Sequence, residues 1–122
     1  NCTVSENIHS LGQLKGVDGI LVEKCTVNAI RGINVNNSLN VKVVGSTFDV
    51  DKYAIRFGES ANTTVENYEI TDCTITSQNV DGDAAIVLRA GATNANLTIT
   101  NTAINAAIQM SGHTSANVTI IP

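Results

Sequence analysis

Apolar residues occupy alternate positions in short runs along this chain, and the same run returns several times. The signature is apolar–x–apolar, two residues, a small residue, another residue and an apolar one. It reads Ile20-Leu21-Val22 then Cys25-Thr26-Val27, and Val41-Lys42-Val43 then Ser46-Thr47-Phe48. It returns as Tyr68-Glu69-Ile70 then Cys73-Thr74-Ile75, and as Leu97-Thr98-Ile99 then Thr102-Ala103-Ile104. Half-copies stand at Cys2-Thr3-Val4 and Val118-Thr119-Ile120. Alternation with a period of two marks strands with one buried face. A second short strand lies between copies: Ile33-Asn34-Val35, Ala54-Ile55-Arg56-Phe57, Ala85-Ile86-Val87-Leu88 and Ala107-Ile108-Gln109-Met110. Counted along the small positions 2, 25, 46, 73 and 102, the period is 23, 21, 27 and 29 residues.

No amphipathic helix separates these strands, so a βαβ layout is excluded. Three short strands per turn with unequal loops predict an all-β parallel solenoid of about four to five rungs. A single rung has no way to bury its own inner face, and stacking makes the core. Val4, Val27, Phe48, Ile75 and Ile104 then form one inward ladder, and Cys2, Cys25, Ser46, Cys73 and Thr102 a second, of small side chains. Thr3, Thr26, Thr47, Thr74 and Ala103 form an outward one. Asn40, Asn67, Asn96 and Asn117 each precede the first strand of a copy. Asn tolerates the left-handed backbone region, which suits a tight corner, and stacked amides can bond to one another.

The stretches Ala95-Asn96-Leu97-Thr98-Ile99-Thr100-Asn101 and Gly19-Ile20-Leu21-Val22, with the repeat around them, resemble the right-handed parallel β-helix repeats of the pectate-lyase-like superfamily. The resemblance spans nearly the whole chain. It implies a single-stack right-handed parallel β-helix and leaves function open, because the superfamily includes lyases, glycosidases, epimerases, phage tailspikes and surface adhesins. Catalytic members are generally much longer. The chain thus reads as one β-helix domain, a segment of a longer secreted or cell-surface protein. Residues 1–18 form an irregular first rung or partial cap, and 19–122 the regular rungs. Ile8, Leu11, Leu14 and Val17 also fit one or two helical turns covering the core. The uncapped rungs at both ends offer surfaces for end-to-end or side-by-side self-association.

The 122 residues carry seven basic and eleven acidic side chains, a net charge of -4. That balance repels a phosphate backbone and argues against nucleic acid as a partner. No apolar run approaches the ~20 residues of a membrane span. Three cysteines, Cys2, Cys25 and Cys73, fall in one column. Cys2 and Cys25, on adjacent rungs, lie within disulfide reach, and Cys25 and Cys73 do not. The three are nonetheless read as buried free thiols serving as small apolar spacers. Asn1, Asn36, Asn62, Asn96 and Asn117 match Asn-x-Ser/Thr, although at Asn96 and Asn117 the repeat itself demands that pattern.

Two loops preceding the same strand concentrate carboxylates: Asp49 and Asp51 in one, Asp81 and Asp83 in the other. Stacked on neighbouring rungs, these four make a candidate Ca²⁺ site, since hard oxygen ligands suit that ion. Arg56 and Arg89 flank the patch. The resemblance implies that in a lyase an Asp-bound Ca²⁺ acidifies a uronate and an Arg or Lys acts as base. Asp51, Arg56, Asp81, Asp83 and Arg89 are therefore the catalytic candidates, against a reading as polar turns with neutralising arginines. His9 and His113 stand too many rungs apart to cooperate, and Gly112-His113-Thr114 is only a fragment of a glycosidase signature. The outward Thr column lacks a matching second column, which argues against binding to ice. The expected function is a non-catalytic module presenting a face to carbohydrate or another macromolecule, with no resident cofactor. The alternative is a segment of a polysaccharide lyase or glycoside hydrolase acting on acidic polysaccharide.

Overall fold

A computed structural model describes residues 2–4, 12–36, 38–57, 65–78, 84–88, 96–105, 108–110 and 118–122. All regular structure in them is β-strand, and every strand pair is parallel. The first sheet holds β1 (Cys2–Val4), β4 (Cys25–Ala29), β7 (Thr47–Val50), β10 (Thr74–Ser77) and β13 (Ala103–Ile104), in that order. The second holds β2 (Gly12–Lys15), β5 (Ile33–Asn36), β8 (Ile55–Phe57), β11 (Ile86–Leu88) and β14 (Ile108–Met110). The third holds β3 (Asp18–Glu23), β6 (Ser38–Val44), β9 (Val65–Thr71), β12 (Leu97–Thr100) and β15 (Val118–Ile121). Every strand thus pairs with the strand three places on, and each three-strand repeat adds one strand to each sheet. Among the described residues no helix is long and apolar enough to cross a membrane.

The registers follow the apolar ladders. Val4 pairs with Val27, Val27 with Phe48, Phe48 with Ile75 and Ile75 with Ile104. In the third sheet the column runs Val22, Val43, Ile70, Ile99, Ile120, and in the second Ile33, Ile55, Ile86, Ile108. One continuous buried cluster contains side chains from all three sheets, among them Val27, Ile33 and Val41. Inside it the rings of Phe57 and Tyr68 stack, their centroids 4.1 Å apart. The buried Tyr68 hydroxyl donates to the Ser38 carbonyl at 2.9 Å, satisfying a polar tip in an apolar interior.

Two columns of left-handed corners turn the chain. The first holds Gly19, Asn40 and Asn67, with φ of 87°, 55° and 57°. Its side chains are linked: Asn40 donates to Asp18 at 2.7 Å, and Asn67 to Asn40 at 3.1 Å. The second holds Lys24, Gly45, Asp72 and Asn101, with φ of 51°, 58°, 54° and 46°. There Asn101 donates to Asp72 at 2.7 Å. This second column immediately precedes the small positions, where the repeat pattern marked no turn.

Ahead of Asp18, β2 pairs with β5 over four residues, and the later pairs of that sheet run over three. Leu14, grouped with Val17 by helical spacing, lies in β2, and Val17 lies in the turn after it. Ile8 and Leu11 fall outside the described residues. The small column also needs correction. Cys73 is a buried free thiol, but Cys25 is disulfide-bonded, so the column is not three free thiols. Backbone register places Cys2 directly opposite Cys25.

Candidate functional site

Strand alternation fixes which side chains face outward on the third sheet. Val41 and Val43 of β6, and Tyr68 and Ile70 of β9, point inward and are buried. Lys42 and Glu69 between them must therefore point out, and the register pairs them with each other. The ammonium and carboxylate lie 3.3 Å apart, with both side chains about half exposed. Thr98 of β12 pairs with Glu69 and continues the column. Beside it runs the corner column of Asn40, Asn67 and Asn96, all exposed. Together Asn40, Lys42, Asn67, Glu69, Asn96 and Thr98 line a cleft of about 330 Å³. The cleft offers amide donors and acceptors, one cation, one carboxylate and one hydroxyl on a surface made rigid by strand pairing.

The acidic loops are only partly described. Asp49 is exposed on the outer face of the first sheet, in register between Asn28 and Thr76. Asp51 is exposed at the end of β7, its amide bonded to the Ala29 carbonyl at 3.3 Å. The next repeat presents Gln78 beside it, for Gln78 donates its amide to the Val50 carbonyl at 2.9 Å. Asp81, Asp83 and Arg89 lie outside the described residues, as do His9 and His113. Among the described residues no three His, Cys, Asp or Glu side chains converge on a metal position.

Arg56 projects outward on β8, in register between Asn34 and Val87. Its Nε donates to the side-chain oxygen of Asn34, one strand away, at 3.3 Å. Its guanidinium lies 4.7 Å from the centre of the Tyr53 ring. Tyr53, Ala84 and Val87 form a small buried cluster of their own on this outer face, and Asn34 is buried beside it. Arg56 thus lies against an aromatic face with a hydrogen bond to an amide; Arg89, expected to flank the acidic loops with it, lies outside the described residues.

Comparison with family models, with curated proteins and with solved structures finds no match to this chain. The likeness to pectate-lyase-like repeats therefore rests on the repeat residues alone.

The small column proves to be chemical as well as steric. The Cys25 amide donates to Ser46 Oγ at 3.1 Å, and Ser46 Oγ donates to the Val44 carbonyl at 3.1 Å. Two repeats on, the Cys73 amide donates to Thr102 Oγ1 at 3.3 Å, which donates to the Thr100 carbonyl at 2.9 Å. The Cys73 thiol lies 3.3 Å from the Thr71 carbonyl and 3.5 Å from that of Val43, as donor to both. Burial pushes the Cys73 thiol above its ordinary value, and backbone contacts at Ser46, Thr71 and Gly45 pull the other way. A side chain carrying O–H or S–H at this corner takes an amide from one repeat and returns a proton to a carbonyl two residues back. Ser46 and Thr102 return it from O–H and Cys73 from S–H, whereas Cys25, held in a disulfide, has no proton to return.

Proposed function

We propose that the three sheets wind as a right-handed parallel β-helix of five rungs, of the pectate-lyase-like kind, serving as a non-catalytic module of a secreted or cell-surface bacterial protein. Its outer face binds carbohydrate. The observation that carries this reading is the cleft on the third sheet, where stacked Asn amides stand beside the Lys42–Glu69 pair. A sugar ring presents neighbouring hydroxyls that both donate and accept. Planar amides and a carboxylate on a fixed surface meet that pattern, with no catalytic group required.

Glycan-array binding followed by titration of the selected oligosaccharide tests the reading. Asn67→Ala and Lys42→Ala are expected to weaken binding roughly tenfold each, as the loss of one or two hydrogen bonds to a bound polar ligand would. An array with no bound glycan contradicts it, as does binding that ignores both substitutions. Release of unsaturated uronate from polygalacturonate, lost in Asp51→Ala or Arg56→Ala, would replace it with the lyase reading.

A further inference from the structure

The cleft on the third sheet holds no net charge of its own. Lys42 is the one cation among its described lining residues, and Glu69 Oε2 lies 3.3 Å from its ammonium. Strand register sets the two residues directly opposite each other. Any anion that reaches Lys42 Nζ therefore also meets the Glu69 carboxylate. Asp18, on the neighbouring strand β3, adds a second carboxylate, which accepts from Asn40 at 2.7 Å. Over the whole sequence eleven acidic side chains stand against seven basic ones. The near and the far field both oppose a polyanion.

Hydrogen bonding is what the cleft has left to offer. Asn40 donates to Asp18 and accepts from Asn67, so both ends of its amide are engaged. Among the described residues, Asn67 Oδ1, Glu69 Oε1 and the side chains of Asn96 and Thr98 hold no hydrogen bond. The first two only accept, and the last two both donate and accept. A sugar hydroxyl satisfies either kind. A uronate carboxylate or a sulfate ester accepts only, and leaves Asn67 Oδ1 and Glu69 Oε1 unmet. From this balance we infer that the cleft selects uncharged glycans and that Glu69 sets the selection. The inference rests on the carbohydrate-binding reading above and narrows it. Glu69 acts in two ways: it neutralises Lys42, and it accepts from a sugar hydroxyl through Oε1.

Titration calorimetry over a series of salt concentrations tests this. The probes are short oligosaccharides of glucose, mannose and N-acetylglucosamine, against oligogalacturonate and a sulfated oligosaccharide of equal length. The unmodified chain is expected to bind an uncharged probe roughly tenfold or more tighter than either acidic one, with an affinity that salt leaves unchanged. Glu69→Gln keeps the size of the side chain and removes its charge. It is expected to weaken the uncharged probe roughly tenfold and to strengthen oligogalacturonate about fivefold, with an unchanged circular dichroism spectrum. Tighter binding of the acidic probes, lost at high salt, overturns the inference and leaves the carbohydrate reading standing. So does a folded Glu69→Gln variant with the selectivity of the unmodified chain. The salt series needs no substitution and decides the question of charge even where that variant misfolds. Binding of none of the glycans overturns the carbohydrate reading together with the inference.

Discussion

At the corners after β3 and β9, the backbone amides of Cys25 and Cys73 turn to side-chain acceptors as the chain changes direction. Ser46 and Thr102 supply the missing acceptor and pass the bond to a carbonyl two residues back. Ser46→Ala leaves the Cys25 amide buried without that partner. It should cost about 1–3 kcal/mol in urea unfolding, whereas the outward neighbour substitution Thr47→Ala should stay within about 0.5 kcal/mol. The smallness of this column was legible in the sequence because the repeat returns it five times. Its hydrogen bonding was not, because the amide served lies some two dozen residues away. Cys73 adds a pH dependence. Its thiol is raised above 9.0 by burial, so above pH 9 the unfolded chain releases a proton that the folded chain retains. Stability should fall as pH rises through that range, and Cys73→Ser should remove that part of the fall in a series of urea melts. A thiol titrating as freely in the folded chain as in the unfolded one would contradict it.

The elements were readable wherever alternation was clean. The strands around Val27, Phe48 and Ile75 emerge in the register that period-2 patterning predicts. The corner at Asn40 and Asn67 was legible for the same reason, since Asn tolerates positive φ. The corner at Lys24, Gly45, Asp72 and Asn101 was hidden because no single residue type marks it. Around Leu14 an apolar spacing of three misleads, for a strand flanked by a turn can imitate one face of a helix. Gly32 records how closely successive repeats approach just ahead of β5 and β8 in the second sheet. Its amide donates to the Tyr53 carbonyl at 2.9 Å, and a Cβ there would run into the Ala54 carbonyl. The obstacle is backbone rather than a flexible side chain. Gly32→Ala should therefore destabilise by about 1–3 kcal/mol or more, read as a fall in Tm. Tyr68→Phe keeps the stacked ring but strips the Ser38 carbonyl of its donor, and should cost about 1–3 kcal/mol.

On the scale of the whole molecule, apolar columns and strand ladders hold the described residues together, and the Lys42–Glu69 ion pair contributes little. The Lys42–Glu69 pair is half exposed, so Lys42→Ala should change stability by less than about 1 kcal/mol. That separates folding from binding, because the same substitution is expected to weaken glycan binding. The cleft was poorly legible in the sequence. Lys42 and Glu69 look like ordinary outward positions of alternating strands, and their pairing depends on a register 27 residues apart (69 less 42). The Asn residues were visible as corners and not as the lining of a surface. The acidic loops are conspicuous in a chain with few charges; Asp49 pairs with Thr76 and Asp51 lies beside Gln78, while Asp81 and Asp83 lie outside the described residues. Everything at this scale depends on residues one repeat apart being immediate neighbours. Backbone NOEs across the first sheet measure that most directly. Contacts linking Thr26 to Thr47 and Thr47 to Thr74, with none linking Thr26 to Thr74, are the predicted result. Contacts placing Val27, Phe48 and Ile75 in separate or antiparallel sheets would contradict the account.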